Sequence, residues 1–152
     1  DINEEAIYYI LHFMEPQYDS IEMGKACDDI FHHIDKWSEE VQYRVAEKYV
    51  NSPLCKHKIR SFIEFTGRWA INNPVQSLKW LEQILSTYDQ DDYFIWNDIM
   101  DVLIQSYNGI KSFNDTENQE LLENAMDLID NLMKNPSNKY LISNFINKLD
   151  NE

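Results

Sequence analysis

The sequence predicts an all-α fold of about eight helices, stacked as antiparallel pairs in a HEAT-like α-solenoid, with a globular helical bundle as the alternative. Three observations predict it. Breaking residues recur at Pro16, Asn51-Ser52-Pro53, Asn72-Asn73-Pro74, Asn108-Gly109 and Asn135-Pro136, and they cut the chain into helix-length pieces. Within the pieces, apolar residues fall at helical spacing. Only three glycines and four prolines occur in 152 residues, too few for the turns of an all-β fold.

The first helix, over about residues 3–15, is carried by Ile7, Ile10, Leu11 and Met14 at i, i+3, i+4, i+7. Ser20 is the expected N-cap of a second helix bearing Cys27, Ile30, Phe31 and Ile34. Ser38 is the expected cap of a third. Glu39 and Glu40 sit in its first turn, where carboxylates complement the helix dipole, and Val41, Val45, Ala46 and Tyr49 form its apolar face. The fourth, from about Leu54 to Ile71, shows Ile59, Phe62, Ile63, Phe65, Trp69 and Ala70, a stripe wide enough for a helix between two neighbours. Asn73 as cap and Pro74 at the first helical position open the fifth, with Leu78, Leu81, Leu85 and Tyr88 inward. The sixth carries Ile95, Ile99, Val102 and Leu103 and is expected to stop at Asn108-Gly109.

A polar loop, Lys111 to Asp115, leads to a seventh helix with Leu121 or Leu122, Ala125, Leu128, Ile129 and Leu132, and then to a shorter eighth with Leu141, Phe145 and Leu149. Helices three to eight form pairs starting near 38, 74 and 116, a period of about 40 residues, as in HEAT-type repeats. Leu78-x-x-Leu81-x-x-x-Leu85 aligns with Ala125-x-x-Leu128-x-x-x-Leu132. A single pair cannot bury its apolar stripe, so pairs stack. The chain reads as a single helical-repeat domain over 1–152 and, starting at Asp1 without Met, as a piece of a longer protein.

Hydrophobic residues make up 43% of the chain, enough for a core. No apolar run reaches membrane-span length and the first residues are acidic and polar, so neither membrane association nor a signal peptide is expected. Cys27 and Cys55 read as buried, reduced thiols of a cytoplasmic protein. The net charge is −14, and residues 89–133 hold eleven acids against one base, Lys111. That segment repels a phosphate backbone, which disfavours nucleic acid and favours a basic protein partner.

Catalytic and metal signatures fail on spacing. Cys27, His33, Cys55 and His57 could be drawn into a zinc set, but residues two apart on a helix, such as Cys55 and His57, point opposite ways. Counted from Asp89, an EF-hand needs Gly at position six and Glu at twelve, where Phe94 and Met100 stand. No Gly-x-Ser-x-Gly occurs. The basic cluster Lys56, Lys58 and Arg60 reads as a solvated helix start. The expectation is therefore a fragment without catalytic, cofactor-binding or metal-ligating residues. The candidate partner-binding residues are Trp80, on the far side of its helix from Leu78, and Tyr93, Phe94 and Trp96, ringed by Asp89, Asp91, Asp92 and Asp98. Trp and Tyr are the residue types that anchor protein interfaces. The alternatives are a helical enzyme accessory or catalytic domain built from scattered acids and histidines, and an oligomerising structural domain.

Three segments carry a resemblance: Asn73-Pro74-Val75-Gln76-Ser77-Leu78-Lys79-Trp80-Leu81-Glu82-Gln83-Ile84-Leu85, the acidic aromatic linker from Asp89 to Asp98, and Asn124-Ala125-Met126-Asp127-Leu128-Ile129-Asp130-Asn131-Leu132-Met133. The chain here resembles the C-terminal helical-repeat region of large bacterial STAND-type NTPases, including the antiviral defence ATPases, over about residues 60–135. The resemblance implies a non-catalytic sensor or scaffold arm with the ATPase upstream. Nucleotide-binding residues do not carry over, because Gly24, Gly67 and Gly109 are too far apart to form a phosphate-binding loop.

Overall fold

Three helix starts in this chain are fixed by short polar side chains, and the most consequential of these comes from a distant helix. In a computed structural model of the protein, residues 4–87 and 93–111 are described, with 119–120, 123–124, 127, 130, 143 and 146–147. For Tyr93, Phe94, Trp96 and Lys111 the backbone alone is described. All regular structure among these residues is helical: α1 Glu4–Phe13, α2 Ile21–Asp29, α3 Glu39–Val50, α4 Arg60–Ala70, α5 Pro74–Thr87 and α6 Tyr93–Lys111, with short 3-10 turns at Pro16–Tyr18, Ile30–His32, Ile34–Lys36 and Pro53–Lys56. The expected seventh and eighth helices, with Leu121, Leu122, Ala125, Leu128, Ile129 and Leu132 and with Leu141, Phe145 and Leu149, lie outside the described residues. The described positions 119, 120, 123, 124, 127 and 130 are helical and exposed.

The chain divides into two compact units, residues 1–65 with 83–91, and residues 66–82 with 92–152. In the first, Ser20 Oγ accepts from Met23 N at 3.1 Å and Ser38 Oγ accepts from Val41 N at 3.3 Å, so both expected caps form. The fourth helix departs from expectation, since it begins at Arg60 and not near Leu54. Pro53 supports a 3-10 turn in which Ser52 Oγ accepts from Leu54 N at 3.2 Å and donates to the Met14 carbonyl at 2.6 Å. The chain then runs through Lys58 and Ile59 before α4 can start.

Asp28 supplies that start. Its Oδ2 accepts from Ser61 N and its Oδ1 from Phe62 N, both at 3.1 Å, which satisfies two first-turn amides of α4 across more than thirty residues of chain. The Tyr49 hydroxyl donates to the Lys58 carbonyl and lies 3.3 Å from Asp28 Oδ1. Asp28 is completely buried. A carboxylate at a helix N-terminus gains from the helix dipole, and burial strengthens that gain. Phe31 packs beside it, with ring centroids 5.0 Å from Tyr49, 4.9 Å from Phe62 and 5.1 Å from Phe65, forming an aromatic core. Phe31 and the buried Ile34 stand on 3-10 turns, whereas the sequence placed them on the second helix.

In the second unit, Leu78, Trp80, Leu81, Ile95, Ile99, Val102 and Ile110 are buried. Helix α6 runs through Asn108-Gly109 to Lys111 instead of stopping there. Gly109 is no left-handed cap, because no glycine in the described chain has positive φ. It permits close approach: a Cβ there would sit 3.1 Å from the Ala70 carbonyl and 3.2 Å from the Pro74 ring. Gly24 does the same in the first unit, where a Cβ would lie 2.7 Å from His57 Cβ and 2.9 Å from the Leu54 carbonyl.

Gly24→Ala forces α2 off the Pro53–Lys56 turn and lowers unfolding free energy by about 1–3 kcal/mol in urea titration. Asp28→Ala, which strands two amides, costs roughly 2–4 kcal/mol. Burial raises the Asp28 carboxyl above its usual 3.8, against the Phe62 and Ser61 amides and the Lys58 ammonium, which pull it down. A folded value above the unfolded one means the native state binds the proton first, so Asp28 contributes more stability as pH falls through the folded value, levelling below 3.8. Urea titrations of wild type and Asp28→Asn from neutral pH downward should show the gap widening in favour of wild type.

Candidate docking surface

Helix α1 carries two apolar stripes. Ile7 and Met14 are buried and Leu11 half-buried, and these face the core of the first unit. Beside them Ala6, Tyr9, Ile10 and Phe13 again fall at i, i+3, i+4, i+7. Helix α2 is built the same way. Gly24 and Asp28 face the core, while Met23, Ala26 and Cys27, continued by Ile30, form the adjoining stripe. Ile10, Phe13, Met23, Ala26, Cys27 and Ile30 line a cavity of about 290 Å³ that opens to solvent, with almost no polar atom in its wall.

One exposed ring stands in the wall: Phe13 is 42% exposed, with Tyr9 on the same stripe at 51%, while Tyr8, 65% exposed, lies off that stripe on α1. Phe13 ends a run of ring contacts that holds it in place. His12 stacks on Tyr8 with centroids 6.0 Å apart and an interplanar angle of 6°, and its Nε2 is 3.0 Å from the Tyr18 hydroxyl. Tyr18 in turn meets Phe13 edge-on at 5.5 Å. An open apolar cavity with an exposed ring in its wall makes this a candidate binding surface.

Charge around the cleft is sorted. Lys56 Nζ and His57 Nε2 reach Asp19 at 2.8 and 2.6 Å, and Lys58 Nζ reaches Asp29 at 2.8 Å. Hydrogen bonds from Lys56, then from His57, hold the Asp19 carboxyl below its usual range. The basic cluster that the sequence read as a solvated helix start is thus engaged by carboxylates of the same unit. Glu15 is likewise bound by Lys48 at 2.5 Å. Glu5 and Glu22 are exposed and make no ion pair among the described residues.

Of the residues the sequence nominated for partner binding, Trp80 is corrected. It is 1% exposed and its ring lies 5.0 Å from that of Trp69, so it belongs to the core of the second unit. Position relative to Leu78 misled here, because α5 buries more than one face. Asp98 is half-buried on α6. Tyr93, Phe94 and Trp96 lie at the start of α6 with their side chains outside the described structure, and Asp89, Asp91 and Asp92 lie outside the described residues. The α1–α2 cleft was missed, although the Ala6–Tyr9–Ile10–Phe13 stripe was there to be read.

Potential nucleophiles are poorly placed. Burial pushes the Cys27 and Cys55 thiols up to about 11, so both stay protonated near neutrality. Ser61 Oγ lies 2.7 Å from His32 Nε2, a nucleophile–base distance. Yet Ser61 is 2% exposed, and the amides that would hold an oxyanion beside it already donate to Asp28. Among the described residues no three His, Cys, Asp or Glu side chains gather to hold a metal ion, and no helix is long and apolar enough to cross a membrane. Compared with known proteins, the chain matches no family model, no curated protein and no solved structure.

The thiols give a pH signature. Between the usual 9.0 and about 11 the unfolded chain ionises its cysteines while the folded chain does not, so stability falls as pH rises through that window. Denaturation midpoints measured below and above pH 9 should show a larger drop for wild type than for a Cys27→Ala, Cys55→Ala double variant.

Proposed function

We propose that this chain is a non-catalytic protein-interaction module, a sensor or scaffold piece that receives its partner in the cleft between α1 and α2. One observation carries the reading: an apolar cavity of about 290 Å³ with the exposed ring of Phe13 in its wall, which Tyr18 holds edge-on. Ordered aromatics beside an apolar slot lose little further entropy on binding, which is what an interface anchor requires.

The same proposal takes the chain as the C-terminal repeat arm of a bacterial STAND-type NTPase that works in the cytoplasm, with its ATPase upstream. The resemblance of the α5–α6 region and of residues 124–133 supports it. Stacked HEAT-like pairs are supported by the starts of α3 at Glu39 and α5 at Pro74, close to the expected positions. In that setting, occupancy of the cleft is the signal and the ATPase the output.

Photo-crosslinking tests where the partner sits. A benzophenone amino acid in place of Phe13 should trap a discrete protein from bacterial extract, and Ala26→Glu, which puts a charge in the cleft from an exposed position, should abolish the product. The same probe in place of Trp96 should yield no product that depends on Ala26. Trapping at Trp96 alone would move the site to α6 and overturn the cleft assignment.

A further inference from the structure

We infer that the occupant of the α1–α2 cleft is a basic amphipathic helix of another protein. This rests on the cleft being a partner-binding surface and adds the chemistry of what binds there. Shape comes first. The cavity has about twice the volume of one that takes a benzene molecule, roughly 150 Å³, so it holds about two large apolar side chains. The α1 stripe from Ala6 to Phe13 runs two helical turns, about 10 Å, the span over which a docked helix presents anchors at i, i+3 or i+4, and i+7. The wall offers almost no polar group, so an extended strand would leave its backbone amides unpaired there. A helix satisfies its own.

Charge selects the sign of the partner. Helical geometry puts Glu5 on the edge of the α1 stripe away from the core and Glu22 on the corresponding edge of α2. Asp29, one heptad after Glu22, extends that edge, although Lys58 engages it at 2.8 Å. Residues 1–35 hold nine acids and a single lysine, Lys25, which lies beyond Glu22 on the outer side of α2. A helix seated on the apolar floor would carry its flanking residues to Glu5 and Glu22, and Lys or Arg there forms pairs that carboxylates cannot. A second copy of this chain is disfavoured on the same ground, because each copy carries a net charge of −14. Anionic lipid headgroups meet the same repulsion.

The test uses the whole chain and two synthetic helical peptides with identical leucine positions, one flanked by lysines and one by glutamates, followed by fluorescence anisotropy. The lysine peptide is expected to bind at least about tenfold tighter than the glutamate peptide, with the margin shrinking as salt is raised. Glu5→Lys with Glu22→Lys should remove or reverse the preference, and Ala26→Glu should weaken both peptides, each variant being checked for a native circular dichroism spectrum. Equal binding of the two peptides, both lost in Ala26→Glu, would overturn the basic-helix inference and leave the docking cleft standing. Binding of neither peptide, or binding indifferent to Ala26→Glu, would overturn both. Self-association that Ala26→Glu abolishes, or capture by phosphatidylcholine vesicles through the same face, would overturn the inference in favour of a second copy or a lipid surface.

Discussion

The buried carboxylate of Asp28 organises the first unit. It closes the N-terminus of α4 from a helix more than thirty residues earlier and sits against the Tyr49 hydroxyl, beside the aromatic core of Phe31, Phe62 and Phe65. Burying a charged carboxylate is expensive unless its lone pairs are met. Here two amides meet them, with the Tyr49 hydroxyl 3.3 Å away, and the chain uses the position to decide where α4 begins. A helix start fixed by a tertiary partner is fixed only when the fold is complete, so α2, α3 and α4 are coupled through a single side chain.

That coupling bears on the cleft. Asp28 faces inward from α2, and its neighbours Ala26 and Cys27 belong to the cleft lining of the same helix. Gly24 adds the close approach of α2 to the Pro53–Lys56 turn. Helix α2 is therefore held from behind at two positions, while exposed Ala26 and half-buried Met23 and Ile30 line the open cleft with Ile10 and Phe13 of α1. A rigid back and an open apolar front suit a receptor for another helix, since the cost of ordering the surface has already been met in folding. The cations of the Lys56–Lys58 segment engage Asp19 and Asp29, whereas Glu5 and Glu22 are exposed and make no ion pair among the described residues.

Local signals were legible in the sequence and long-range ones were not. Ser20 and Ser38 were readable as caps because capping is a matter of neighbours, and Pro74 because proline at a helix start needs nothing distant. Helix α4 was misjudged because its cap, Asp28, is remote in sequence. Gly109 was read as a stop because glycine commonly ends helices, whereas its role depends on Ala70 and Pro74 coming close. Trp80 was nominated for partner binding because it lies off the Leu78 stripe, whereas a helix buried on more than one side breaks the rule that such positions face water. The aromatic stripe of α1 was present in plain spacing but lay beside a stronger core stripe that accounted for the helix by itself.

Amide hydrogen exchange at Ser61 and Phe62 tests the account most directly. First-turn amides of a helix ordinarily exchange fast, having no partner within the helix. If Asp28 fastens α4 as described, these two should be among the slowest in the chain and exchange only through global unfolding. Exchange at the rate of an open helix end, with the rest of α4 protected, would mean that Asp28 does not hold the helix and that the first unit is organised some other way.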